Sequence, residues 1–378
     1  MLRNRSGKEQ KMIVDKNMVS GNIEVLDIQG DTVTLANELR DTRLDRDWFY
    51  WAFRVCGAEG QTVTFQFPHI KRVGYWGAAV STDLCSWKWT GGRKEWTAED
   101  GTPYEAFTYT FGPEENEVYF CYDLLYAPIR FEKFCERNGL KIEELCLSNH
   151  GRSVPCVRVG KGEKKILLTS RHHACESTGT YVLESVLRSL IKEPIEGYEI
   201  LAVPFVDIDG VVEGDQGKHR LPHDHWIDYP CEGDSLYNSC TALRQFIDNN
   251  DVAYLFDIHA PKHMGDINDK VHIPYNVVEE TPRLDLFSKI FESKILPGSI
   301  PFDSGNNISP DDGWNKTSMP TLPRYATVKP ASQLSFCCEV PYFGEEDGSV
   351  VVTEETLRSF GESFADALRE YDKTAPRR

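Results

Sequence analysis

The chain has 378 residues, enough for two domains or one large core, and its 40% hydrophobic and 27% charged content is ordinary for a globular protein. A formal net charge of −17 argues against nucleic-acid binding, which needs a basic face to displace counterions, and against anionic membrane surfaces. No run approaches the roughly 18 apolar residues that span a bilayer, and the basic start "MLRNRSGKEQKMIVDKN" is followed by no apolar stretch of a secretory signal.

Up to about residue 127 the chain reads as short alternating runs separated by turn residues: "NIEVLDIQGDTVTLA", "WFYWAFRVCG", "QTVTFQFPH" and "EVYFCYDLL". Period-two alternation with aromatic and β-branched enrichment predicts an all-β antiparallel sandwich over residues 1–127. From residue 128 to 378 apolar strands alternate with helices. "KKILLTS" is a strand and "STGTYVLESVLRSLIKE" a helix, with Leu183, Val186, Leu187 and Leu190 on one face. "YEILAVPFVD" and "DVAYLFDIHA" are strands flanking the helix "SCTALRQFIDNN". "ASQLSFCCEVPYF" adds a last strand, and a closing amphipathic helix begins at a Thr353 cap with Leu357, Phe360, Phe364 and Leu368 as its buried stripe. The pattern predicts an α/β domain whose mixed, largely parallel sheet carries helices on both faces.

Ligands of such sheets bind beyond the carboxyl ends of the strands. These ends read "SRHHACE", "VDIDG", "DIHAP" and "CCEVPY", each with an ionisable residue. His173 and Glu176 stand three residues apart at a strand-to-helix turn, where both can reach one ion. His259 is the natural third ligand, giving the His2Glu set that recurs in catalytic zinc sites, one Zn2+ per chain. Asp257, two residues earlier on the same side of the strand, suits the task of orienting a ligating histidine. Glu339 is an isolated carboxylate after an apolar run, suited to act as a general base.

These residues resemble the zinc carboxypeptidases of the M14 type. The β-rich start, with "WFYWAFRV" and "YFCYDLLYAP", is similar to the N-terminal domain of the cytosolic carboxypeptidase branch. The resemblance implies His173, Glu176 and His259 as zinc ligands, Glu339 as general base and Asp224 as the support of a ligating histidine. It further implies Arg220 as the group that polarises the scissile carbonyl, Tyr325 as the mobile tyrosine of the substrate pocket, and a peptide or small amide as substrate. Where the family grips a terminal carboxylate with Asn-Arg, this chain has Trp226-Ile227. An indole and an aliphatic side chain cannot reproduce a guanidinium fork, so either Lys218 or Arg324 supplies the cation or the substrate has no carboxylate there.

Other groups have plainer readings. His172 reads as a neighbour of the site and Cys175 as a small buried hydrophobe, although a Cys175-histidine thiol hydrolase is the competing chemistry. His219, His223 and His225 alternate around Pro222, which favours a loop over a second metal site. Pro261 argues against a helix that would bring His263 to the face of His259. Asp207 and Asp209 read as turn residues, and the "GEEDGS" run as a solvated turn. Eleven cysteines, an odd count with no Cys-x-x-Cys pair, predict free thiols and a cytoplasmic location. Without a secretion signal, Asn307 and Asn315 match the glycosylation pattern by chance.

Overall fold

A computed structural model describes residues 12–40 and 48–376; the basic stretch at residues 1–11 lies outside them. Ten strands come first: β1 (Ile13–Asp15), β2 (Glu24–Gln29), β3 (Thr32–Ala36), β4 (Ala52–Cys56), β5 (Thr62–Phe67), β6 (Ala79–Ser81), β7 (Lys88–Trp89), β8 (Lys94–Thr97), β9 (Pro103–Thr110) and β10 (Glu117–Cys121). They form two five-stranded sheets, β1-β4-β10-β6-β7 and β2-β3-β5-β9-β8. Alternation puts Phe53 and Phe120 of one sheet against Phe65 and Phe107 of the other, with ring centres 5.1–5.6 Å apart for Phe53–Phe65, Phe65–Phe120 and Phe107–Phe120. Pairing is antiparallel except between β3 and β5. Between those two the chain crosses to the other sheet to make β4, so it returns in the same direction.

The remainder alternates: α1 (Pro128–Asn138), β11 (Glu143–Leu147), β12 (Ser153–Gly160), β13 (Lys164–Ser170), α2 (Ser177–Lys192), β14 (Tyr198–Val203), α3 (Ile208–Glu213), α4 (Asn238–Asn249), β15 (Val252–His259), α5 (Thr281–Lys294), α6 (Leu322–Thr327), β16 (Leu334–Glu339) and α7 (Glu354–Thr374). The sheet order is β11-β12-β14-β13-β15-β16. The four strands from β14 to β16 run parallel, and β12 and β11 are added antiparallel at one edge. All eight residues of β15 are buried, as a strand covered on both faces requires. Phe256 packs on Phe287 of α5 and Phe364 of α7. The expected cap of α7 is present: Thr353 Oγ1 accepts from Thr356 N at 3.2 Å, and Leu357, Phe360, Phe364 and Leu368 are fully buried. No described helix is long and apolar enough to cross a membrane.

The residue-127/128 division expected from the sequence falls where β10 and its following loop give way to α1, with Pro128 in the first turn. Side chains from both halves nevertheless join one continuous apolar core. All eleven cysteines are free. The amides of Asn307 and Asn315 are used internally: Asn307 accepts from Ile273 N at 2.9 Å, and fully buried Asn315 donates to Tyr275 O at 2.9 Å.

Candidate metal centre

The parallel register sets the site. His259 of β15 stands opposite Glu339 of β16, and Asp257 opposite Thr169 of β13. After β13 the chain turns sharply through Arg171, whose φ of +61° is the left-handed conformation that side chains disfavour. Its buried guanidinium holds the turn, donating from Nε to Ala174 O at 2.6 Å and from Nη1 to Ser177 Oγ at 3.0 Å. The turn delivers His173 and Glu176 to the start of α2. Two glycines allow close approach: a Cβ on Gly179 would meet the Ile258 carbonyl, and one on Gly217, at φ +81°, would meet the backbone of His173.

The ligating atoms of His173, Glu176 and His259 lie within 4.8 Å of one another. His173 Nδ1 is 2.7 Å from Glu176 Oε1, and His259 Nδ1 is 2.8 Å from Glu176 Oε2. Both imidazoles are held from behind. His259 Nε2 is 2.7 Å from Asp257 Oδ2 and His173 Nε2 is 3.4 Å from Asp224 Oδ2, which leaves Nδ1 of each facing the cluster. Asp257 is itself fixed by Thr169 Oγ1 at 2.7 Å and by His172 Nδ1 at 2.9 Å. His172 lies behind the ligands, with Nε2 2.6 Å from the Tyr229 hydroxyl.

The charges are strongly coupled. Burial alone would raise the Glu176 carboxyl, but Lys218, His173 and His259 outweigh it and hold it well below the usual range. Burial disfavours charge on His259, yet Asp257 and Glu176 on two sides raise it well above an ordinary imidazole. Burial would also raise Asp224, and His173 reverses this to leave it at about 2. Glu339 goes the other way: burial, with Glu176 nearby, pushes it up to about 7 despite His259 and Lys218.

Glu339 Oε2 is a buried carboxylate oxygen with no hydrogen-bond partner, and Glu176 Oε2, without a hydrogen bond of its own, faces His259 Nδ1 at 2.8 Å. Unpartnered carboxylate oxygens beside two Nδ1 atoms are what a cation of the zinc type would satisfy, replacing the protons the histidines otherwise hold. The donor set therefore fits the metal. His259 also takes part in two other groupings, with His172 and Asp257 and with Cys337 and Glu339. Asp257 is already bonded on both sides, and burial drives the Cys337 thiol well above its ordinary value, so neither matches the first set.

Other expected residues lie elsewhere. The Arg220 guanidinium is 2.7 Å from Asp207 and 3.2 Å from Asp215. The cation that reaches the cluster is buried Lys218, 2.6 Å from Glu176 Oε1 and donating to Ala260 O and Pro261 O at 3.0 and 2.7 Å. Nor does the structure bring Tyr325 to the cluster: its hydroxyl donates to Asp248 at 2.7 Å and its ring lies 4.2 Å from Lys329 Nζ. Arg324 is half-buried on α6. Trp226 does border the site, its ring 6.1 Å from His173. His223 pairs with Asp228 and His225 stacks on Tyr237, and the alternating histidines form no metal-type group among the described residues. His263 packs on Phe49. Cys175 is fully buried, which pushes its thiol up to about 12 and makes it a poor nucleophile. A cavity of about 720 Å³ is lined by Phe49, Lys71, Arg72, Lys262 and His263, and by no residue of the cluster.

The described architecture has known counterparts. Residues 14–122 match the family model of the cytosolic carboxypeptidase N-terminal domain. A metallo-carboxypeptidase from Burkholderia cenocepacia superimposes with a TM-score of 0.74 at 18% identity, covering 97% of this chain and 100% of that one. The chain has the metallo-carboxypeptidase fold, preceded by a region that matches the cytosolic carboxypeptidase N-terminal domain over residues 14–122. A metallo-carboxypeptidase from Pseudomonas aeruginosa, in complex with (2-guanidinoethylmercapto)succinic acid, gives a TM-score of 0.72 at 18% identity over 96% of this chain and 99% of its own. An uncharacterized protein of Zymomonas mobilis is 29% identical over 184 residues, 46% of this chain, and the match spans about half of that relative, 46% of its length.

Proposed function

We propose that the chain is a zinc-dependent hydrolase of a peptide or amide bond, with 128–378 as its catalytic domain and 1–127 as an accessory domain. The observation that carries this reading is the convergence of His173, Glu176 and His259 within 4.8 Å, beside buried carboxylate oxygens without partners. Those three residues would hold one zinc ion, which when bound supplies Lewis acidity toward the scissile carbonyl and toward water. Glu339, buried opposite His259 at the end of the neighbouring strand, takes a proton from the attacking water and gives it to the departing amine. Asp257 and Asp224 hold the two imidazoles with Nδ1 inward. Lys218 holds Glu176 Oε1 at 2.6 Å, and Arg220, the cation that the resemblance implies for the scissile carbonyl, is paired with Asp207 and Asp215. The free thiols accord with a cytoplasmic location.

The test is hydrolysis of a panel of blocked dipeptides and amides. Activity should vanish on chelation and return with zinc. Activity indifferent to chelation, in protein shown by elemental analysis to be metal-free, would refute it. One observation favours a second reading, a metal-free binding relative: the Lys218 ammonium already sits on Glu176 Oε1. Purified protein that binds no zinc would select that reading.

A further inference from the structure

A second feature sits on the loop that carries Asp224, and its interpretation rests on the hydrolase reading. Trp226 lies in a tight turn over His225–Ile227, its ring centre 6.1 Å from His173 and 6.3 Å from His259. Trp314, from a distant loop, stands 5.8 Å from Trp226 at 62° and is 42% exposed. The two rings form an aromatic wall that begins at the ligand histidines and opens to solvent.

The wall is held from behind. His225 stacks on Tyr237 with ring centres 3.6 Å apart. Asp228 accepts from Leu236 N at 3.0 Å and Tyr237 N at 2.8 Å. Next to Trp314, fully buried Asn315 accepts from Asn276 at 3.1 Å. Tyr229 N donates to Pro320 O at 3.0 Å and so ties the two loops together. Side chains locked this way are suited to recognition, because little order is lost on binding.

The charge inventory is equally informative. The cations on the Trp226 loop, Lys218 and Arg220, are both engaged with carboxylates, and on the Trp314 loop Lys316 Nζ donates to Asp311 O at 2.9 Å. The indole Nε1 of Trp226 is buried with no hydrogen-bond partner, a donor that an oxygen acceptor of the substrate would satisfy. A carboxylate laid against indole faces would meet their negative quadrupole and lose hydration without a counterion. An aromatic group there gains stacking and buried area.

We propose that Trp226 and Trp314 form a specificity subsite for an aromatic or large apolar group beside the scissile amide, on a substrate whose end there is uncharged. The substrate class is thus a capped aromatic amide and not an acid with a free carboxylate.

The experiment is calorimetric titration of the full-length Glu339→Gln variant, both metal-free and zinc-supplemented, with metal content measured separately. Four N-acetyl ligands are compared: phenylalanine amide, phenylalanine acid, alanine amide and arginine amide. The phenylalanine amide should bind about tenfold tighter than each of the others. Adding Trp314→Ala should remove that preference while leaving alanine amide unchanged; adding Trp226→Phe should keep it and Trp226→Ala abolish it. Equal or tighter binding of the acid, tighter binding of the arginine amide, survival of the preference in both alanine variants, or no binding of any ligand would each overturn the subsite. Aromatic preference in protein that takes up no zinc supports the subsite and counts against the hydrolase reading alone.

Discussion

The two sides of the cluster are built differently. On the sheet side, β15 and β16 present His259 and Glu339 from paired strand ends, the Arg171 turn after β13 carries His173 and Glu176, and Asp257 is locked between Thr169 and His172. On the loop side, Trp226 and Trp314 come from irregular segments tied by a few side-chain and backbone bonds. On the hydrolase reading, the sheet side sets where a reaction would occur, since His259 and Glu339 cannot move without breaking the register. The loop side can vary what is accepted without disturbing the chemistry.

Substitutions can break or sharpen that contrast. The largest effect is expected for Glu339→Gln, which keeps the shape of the side chain and removes its proton transfer. Turnover of the best amide should fall by about 10²–10⁴-fold in a steady-state assay, with zinc content unchanged. Asp257→Asn comes next: it leaves the ligands in place but weakens the hold on His259, and zinc affinity measured by competition with a chelator should drop about 10–100-fold.

A third prediction concerns the metal-free protein. Glu339 has a folded value of about 7 against an unfolded value near 4.5. Because the folded value is raised, the folded state binds the extra proton, and its stabilising contribution is present below about pH 4.5 and is lost as pH rises through about 7. Metal-free Glu339→Gln should therefore gain in melting temperature over the parent at pH 8 and not at pH 4.5, with up to about 3 kcal/mol at stake. A gain that does not change with pH would assign the effect to packing. Far from both sides of the cluster, Thr353→Ala should lower stability by about 1 kcal/mol through the α7 cap, leaving zinc affinity untouched.

The same contrast explains what could be read from the sequence. Strands β13, β14, β15 and β16 and helices α2, α4 and α7 announce themselves by unbroken apolar runs or a three-and-four stripe, because both patterns report burial directly. Their carboxyl ends then nominate His173, Glu176, His259 and Glu339, which the structure draws together. Short strands such as β6 and β7, and the five-residue edge strand β11, carry too few alternating residues to stand out. The parallel β3–β5 pair depends on where β4 goes, which no local pattern records. Lys218 was legible only as one of two candidate cations; that it reaches Glu176 follows from Gly217 packing on the His173 backbone. Arg220 has the right residue type, but Asp207 and Asp215 hold it. Trp314 gives no signal, since its place beside Trp226 comes from the tie between Tyr229 and Pro320.

The most direct measurement is calorimetric titration of metal-free full-length protein with zinc, alongside the His173→Ala/His259→Ala double variant. One equivalent of zinc should bind to the parent and none, at the same concentrations, to a double variant that retains its circular dichroism spectrum. No binding to the parent, or a full equivalent bound by the double variant, would contradict the assignment of this cluster as the metal centre.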